Sequence, residues 1–484
     1  MNFILFNPDE MRAESLGCYG HPVAPTPNID ALAAEGTRFD QCHVQHPVCT
    51  PSRCSFMTGW YPHVRGHRTL WHPLQPEEPN LLRYFKQAGY EVLWGGKNDL
   101  LSPGSFADSV TDYRLGARST RALRPTMGGR NPFPPDDPRY YSFLYESEAE
   151  TIEQLGDFAQ VDGAIEFLKT RPQNPFMLYL PISFPHCPYF APGRWQDLID
   201  PNDLPPLRPV IETGKPDFHR LIRETRRLSE LDDVFFRKLN AVYLGMIGIV
   251  DELLGQLLRA LDESGLAEDT TVLFFSDHGD WAGDYGLVEK WPSALDDTLT
   301  RVPMIVRAPG GKAGHVVREV TELLDLTPTV LDIAEIPLKH TQFGRSLVPQ
   351  ISGAPGDPTR AAFAEGGYAL HEPNCFEGRP DTDQGLRDPS HIYHPKGKLQ
   401  QDVPLSVCRS VMVRTQTHKL IHRPDGVSEL YDLTSDPQEL HNNHGSADYA
   451  SVQSALEKRL LDWYIQTADV TPRWEGPRGF PARG

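Results

Sequence analysis

The chain has 484 residues, 39% hydrophobic and 23% charged, an ordinary balance for a globular fold and enough length for one large core plus a smaller one. A formal charge of −18 excludes the basic footprint of a nucleic-acid binder and gives no long-range pull on an anionic substrate, so any anion site must build its own local positive field. No apolar run is long enough to cross a bilayer, so no membrane partner is expected, and seven cysteines without a Cys-x-x-Cys pair speak against a disulfide framework or a zinc knuckle.

The first apolar run, Phe3-Ile4-Leu5-Phe6, reads as a buried strand ending in Asn7-Pro8-Asp9-Glu10. It starts so early that no secretion signal fits ahead of it, and the expected setting is cytoplasmic with reduced thiols. Residues 28–36 carry an Asn cap, helix formers and a terminal glycine. In 47–59 a cysteine, a proline and an arginine alternate at 49, 51 and 53 before a short helix. Pro51 suits the helix's first turn and Gly59 the residue past its end, which puts Cys49 near the positive end of the helix dipole. A lone cysteine is more often a small buried thiol, so its surroundings must decide its role. Residues 80–89 repeat the helix pattern, and 90–94 form a strand running into Gly95-Gly96-Lys97-Asn98-Asp99.

Residues 100–147, rich in Pro, Gly and Arg, read as an insertion that folds over the body and shapes a pocket rim. A helix over 148–170 precedes a third strand at 176–180, which leads to Ser183-Phe184-Pro185-His186. A second proline-rich excursion spans 187–217, and 228–261 form one long amphipathic helix or two. A fourth strand, 271–275, runs into Ser276-Asp277-His278. The alternation continues through 302–307 and a helix over 326–334 to 363–365, predicting an α/β fold with a large, mostly parallel sheet between helices. Residues 366–404 are a third irregular insertion. Short strands at 406–414, 419–422 and 429–431 and a helix over 447–466 then predict a smaller antiparallel α+β unit, giving domains at 1–365 and 366–484.

Ligands of open parallel sheets bind at the carboxyl ends of the strands, so Asp9, Glu10, Lys97, His186, Asp277 and His278 should converge. Singly each has a bland reading: an acid after a strand is usually a cap, a lysine a surface residue, a histidine a loop anchor. Three carboxylates meeting in one place need a cation, and oxygen donors suit calcium or magnesium, while the imidazole of His278 leaves magnesium and manganese open. Around such a metal, Arg53, Lys97, His186 and Lys290 make a cationic ring suited to a tetrahedral sulfate or phosphate ester.

Cys49-Thr50-Pro51-Ser52-Arg53 with Thr58-Gly59 resembles the Cys-x-Pro-x-Arg signature of the type-I sulfatase family, within the alkaline phosphatase superfamily. Leu16-Gly17-Cys18-Tyr19-Gly20-His21, Thr26-Pro27-Asn28-Ile29-Asp30, Asp277-His278-Gly279, Arg301-Val302-Pro303 and Glu429-Leu430-Tyr431-Asp432-Leu433 resemble further family segments, so the likeness spans nearly the whole chain. The resemblance implies that a maturation enzyme oxidises Cys49 to formylglycine. It further implies that Asp9, Glu10, Asp277, His278 and residue 49 hold one divalent metal, calcium first. Arg53 would orient the hydrated aldehyde, Lys97 and Lys290 hold substrate oxygens, and His186 serve the leaving group. Asp99 departs from the histidine many members carry there, for which His67 or a histidine of 366–404 could substitute.

The implied activity is hydrolysis of a small-molecule or sugar sulfate ester. One hydroxyl of the aldehyde hydrate attacks sulfur and the other expels sulfate. Phosphonate monoester or phosphodiester hydrolysis is the rival, and an inactive binding protein on the same fold is the reading from another class. The insertions and the 474–484 tail leave a homo-oligomer open.

Overall fold

The computed structural model describes residues 1–125, 128–372, 375–377 and 387–472; the 474–484 tail lies outside them. The principal strands are β1 (Asn2–Pro8), β2 (Thr37–His43), β3 (Glu91–Trp94), β4 (Phe176–Ile182), β5 (Thr270–Phe275), β6 (Met304–Arg307) and β7 (His315–Glu322). With the short Arg301–Val302 they form one eight-stranded sheet in the order β7-β2-β6-β5-β1-β4-β3, parallel apart from β6 and Arg301–Val302. The mostly parallel α/β fold predicted from the alternation is therefore present. β6 runs against its neighbours; the 276–303 segment that joins it to β5 carries no α-helix longer than Asp297–Thr300, so no long crossover helix returns the chain to the other end of the sheet.

Along β1, Ile4 and Phe6 join one core while Phe3 and Leu5 join the other, as period-two alternation requires when both faces are covered. Helices α1 (Pro27–Glu35), α4 (Gly156–Lys169) and α5 (Asp233–Ser264) cover the first face. Helices α2 (Cys49–Thr58), α3 (Leu81–Gln87) and α6 (Leu326–Ile333) cover the second. The amphipathic stretch at 228–261 resolves as the single α5, begun by the Asp232 cap and ended by Gly265 in the left-handed conformation. It is long and apolar enough to cross a membrane, but 83% of its most apolar 18-residue window is buried in the fold.

Three local expectations change. Asn28 does not cap α1; Asp251 of α5 accepts the N–H groups of Asn28 (2.9 Å) and Ile29 (2.8 Å), so the cap comes from a residue 222 positions away. The helix expected over 148–170 starts only at Gly156, because Leu155 is extended behind a Thr151/Gln154 capping box. Residues 363–365 do not extend the large sheet: the strand Ala362–Gly366 (β8) pairs antiparallel with β9 (Ser410–Arg414). It becomes the first strand of a four-stranded sheet completed by β10 (His418–His422) and β11 (Glu429–Asp432), with helix α8 (Ala450–Thr467) packed on it. The boundary drawn at 365 thus falls inside a strand of the smaller unit. The third insertion carries a helix, α7 (His394–Asp402), which the sequence reading left irregular.

Candidate active site

Because β1 to β5 point the same way, the segments after β1, β2, β3, β4 and β5 meet at one edge of the sheet. After β2, the helix α2 begins at Cys49 itself, so Pro51 is its third residue, within the first turn as expected. Every residue of α2 is buried, and Gly59 ends it at φ 73°. After β3, Gly96 adopts φ 139°, and a Cβ there would lie 2.1 Å from the Pro181 carbonyl of β4. Only glycine permits that approach, and it delivers Lys97, whose N–H donates to the same carbonyl at 3.0 Å.

The donor atoms of Asp9, Cys49, Asp277 and His278 all lie within 4.8 Å of one another, and all four residues are buried. The Cys49 Sγ is 3.1 Å from His278 Nε2 and 3.5 Å from Asp9 Oδ1. His278 Nδ1 lies 2.9 Å from the Gly279 carbonyl; a proton on Nδ1 satisfies that oxygen and leaves the Nε2 lone pair facing the cluster, as a metal ligand requires. Two carboxylates, one imidazole nitrogen and the side chain at 49 are a donor set that fits a divalent metal ion.

Glu10, grouped on sequence with these ligands, is not brought into the cluster. At φ 64° its side chain turns away, pairing with Lys290 and accepting the Cys187 N–H at 3.1 Å, in a second group with His186 and Cys187. Burial pushes the Glu10 carboxyl up to about 7, with Lys290 opposing.

Arg53 also does something other than expected. Its wholly buried guanidinium donates to Asp277 Oδ2 (2.9 Å), Asp9 Oδ2 (3.0 Å), Asn7 Oδ1 (3.0 Å) and the Tyr179 hydroxyl (3.2 Å), so it binds the two carboxylates together instead of the side chain at 49. The cation beside Cys49 is Lys97, with Nζ 3.7 Å from Sγ and 2.8 Å from Asp9 Oδ2. Burial works to raise the Asp9 carboxyl, yet the cations beside it, Lys97 and then Arg53, hold it well below the usual range. Burial and the Asp9 charge push the Cys49 thiol well up, so the unmodified side chain is a neutral thiol.

On the other wall, Lys290 Nζ lies 2.9 Å from His186 Nε2, and His186 Nδ1 faces the Cys187 carbonyl. Burial together with Lys290 and Lys97 pushes the imidazole well below its ordinary pKa, so His186 is neutral with its Nε2 accepting from Lys290. The proton on this wall therefore sits on Lys290. Asp99 pairs with Lys97 at 2.8 Å. His67 is tied to Glu78 and the His72 carbonyl, whereas His391 of the third insertion lines the pocket.

That pocket, about 390 Å³, opens over Cys49, Lys97, Asp99, His186 and Lys290. Its outer wall is Leu70, Trp71, Glu289, Glu377, His391, Tyr393, Lys396 and Gly397. Among the described residues, 100–147 does not contribute to it, so the rim expected from that insertion is built instead by the third insertion and by 70–71. Asn7 and Tyr179, the outer partners of Arg53, were missed. The only sequence signal for Asn7 was its place at the end of β1 beside Asp9.

The family model for sulfatases matches residues 1–336, and that for the C-terminal part of N-sulphoglucosamine sulphohydrolase matches 400–466. The chain is 27% identical to the multifunctional alkaline phosphatase superfamily protein PehA of Trinickia caryophylli, over 99% of this chain and 96% of that protein. It is 24% identical to an N-acetylglucosamine-6-O-sulfatase of Bacteroides thetaiotaomicron, over 97% and 87%. Among solved structures, the phosphonate monoester hydrolase of Agrobacterium radiobacter shares the fold with a TM-score of 0.73 and 22% identity, over 96% of each chain.

Proposed function

Because the chain belongs to the sulfatase family, we propose that it hydrolyses sulfate esters with residue 49, oxidised from cysteine to formylglycine by a maturation enzyme, as nucleophile beside one divalent metal ion. The observation that carries this reading is the convergence of Asp9, Cys49, Asp277 and His278 within 4.8 Å at the floor of a pocket that Lys97 and Lys290 also line. Formylglycine in its hydrated form would supply two hydroxyls on one carbon, one to attack sulfur and one to expel sulfate. The metal, held by Asp9, Asp277, His278 and residue 49, would supply Lewis acidity. Calcium is the ion proposed, and the nitrogen donor of His278 keeps magnesium and manganese beside it.

The chain's own residues divide the remaining work. Arg53 ties Asp9 and Asp277 together, and Lys97 and Lys290 present ammonium groups to the oxygens of the ester, where charge grows in the transition state. Lys290, donating to His186 Nε2, holds the proton for the leaving oxygen. The substrate class is a small-molecule or sugar sulfate, a reading supported by the sugar-directed relative from B. thetaiotaomicron. Asp99, whose carboxylate takes up part of the Lys97 charge, keeps phosphonate monoester hydrolysis as the second reading.

Peptide mass spectrometry on protein co-expressed with a maturation enzyme should find the aldehyde at residue 49, and Cys49→Ala should abolish turnover. The specificity constant for 4-nitrophenyl sulfate should exceed that for an aryl phosphonate monoester. Full activity in Cys49→Ala, or an active preparation holding only thiol, would overturn the mechanism; a larger constant for the phosphonate would replace the sulfate reading.

A further inference from the structure

The pocket wall formed by the third insertion contains an acceptor that nothing among the described residues satisfies. Glu377 is 7% exposed; its Oε2 is paired with Lys396 at 2.9 Å and accepts from Gln400 Nε2 at 3.2 Å. Its backbone N–H donates to Gln400 Oε1 at 2.9 Å, so residue 377 is fixed by α7 at two points. The other carboxylate oxygen, Oε1, is buried and has no hydrogen-bond partner among the described residues. A buried carboxylate oxygen without a donor is costly, and a ligand that brings a donor removes that cost.

The charges around it indicate which donor. Lys396 also reaches Glu289 at 2.7 Å, and Glu289 is paired with Arg226 at 2.7 Å. Two cations and two carboxylates leave this wall neutral, as do the Lys97–Asp99 and Lys290–Glu10 pairs. A neutral wall with a spare acceptor suits a hydroxyl better than an ammonium group. Trp71, 43% exposed, lines the same pocket and offers an aromatic face to a ring. The pocket's 390 Å³ lies near the lower end of the range of about 300–1,000 Å³ for ligand sites, room for the ester group and about one ring.

We infer that Glu377 is a specificity residue that accepts a hydrogen bond from a hydroxyl on the ring of the leaving group. This rests on the sulfate-ester reading and narrows it. Lys396 and Gln400 act as positioning residues, holding the carboxylate so that Oε1 meets the ring.

The test compares monosaccharide sulfates (glucose, galactose and N-acetylglucosamine 6-sulfate) with cyclohexylmethyl sulfate, a ring of like size without hydroxyls, using 4-nitrophenyl sulfate as reference. The mature enzyme should favour at least one sugar sulfate over cyclohexylmethyl sulfate by about tenfold or more in kcat/KM, the scale of one hydrogen bond to a charged acceptor. In Glu377→Met, which removes the acceptor, that ratio should collapse by about tenfold, whereas Glu377→Gln, whose amide N–H a substrate hydroxyl can accept, should keep part of it. Equal losses on both esters would make Glu377 purely structural and overturn the inference, as would a wild-type preference for the hydroxyl-free ring. If 4-nitrophenyl sulfate is hydrolysed and no sugar sulfate is, this inference falls alone; if no sulfate ester is hydrolysed, the sulfate reading falls with it.

Discussion

Replacing Arg53 by methionine isolates what holds the metal ligands together. The guanidinium is 0% exposed and faces two carboxylates, also 0% exposed, at 2.9 and 3.0 Å. Methionine roughly keeps the volume and deletes the charge, leaving Lys97 as the remaining cation on Asp9 and no hydrogen-bonded cation on Asp277. Breaking a buried pair by removing one partner costs about 3–5 kcal/mol, most of it the stranded charge. Unfolding entropies of about 2 cal/mol/K per residue put a chain of this size near 1 kcal/mol/K at Tm, so the loss should read as roughly 3–5 °C. Thermal scans in EDTA should show that gap, and Arg53→Lys, which keeps charge but not the two-pronged geometry, should fall between. Calcium should then narrow the gap, because a divalent cation between Asp9 and Asp277 restores the missing charge. Equal Tm values for wild type and Arg53→Met in EDTA, or equal calcium-induced rises in both, would refute this account of the site.

Gly96→Ala should cost more than about 2 kcal/mol and lower kcat, since φ 139° and a Cβ 2.1 Å from the Pro181 carbonyl force β4 or the Lys97 loop to shift; thermal scans and aryl sulfate kinetics check it. Removing the divalent ion with chelator should abolish turnover and lower Tm, and a titration with calcium, magnesium and manganese should restore both in the order of their affinities. Asp251 has a folded pKa of about 6, raised from 3.8 chiefly by burial, so the folded state binds its proton more tightly than the unfolded chain does. Wild-type stability should therefore gain a falling component as pH rises from about 4 to about 6, worth at most about 3 kcal/mol. Asp251→Asn can keep an acceptor for the two α1 N–H groups and should remove that component; identical stability–pH slopes in denaturant titrations would contradict the assignment.

The elements and the catalytic address were readable in the chain because they rest on local signals. Phe3 to Phe6 and Thr271 to Phe275, short apolar runs ended by polar turns, read as buried strands, and in a parallel sheet their carboxyl ends share an edge, which brings Asp9, Lys97, His186 and Asp277 toward Cys49. The Cys-x-Pro-x-Arg run pointed to the family without help from the fold. What each charged side chain touches was settled only by tertiary structure. Asp9 and Glu10 are neighbours in sequence, yet a φ of 64° sends Glu10 to Lys290, 280 residues away, while Asp9 turns to Cys49, Asp277 and His278. The family resemblance assigned Arg53 to residue 49, but its guanidinium is taken up by Asp277, Asp9 and Asn7. Strand β8 reads like any strand of an α/β alternation, and only pairing with β9 shows which sheet it joins. The acceptor at Glu377 carried no pattern at all, because an unsatisfied oxygen is defined by what does not reach it. Periodicity and turn chemistry act within a few residues and so survive in the sequence; the direction of a side chain beyond a strand end, and the partner that neutralises it, depend on packing between segments hundreds of residues apart.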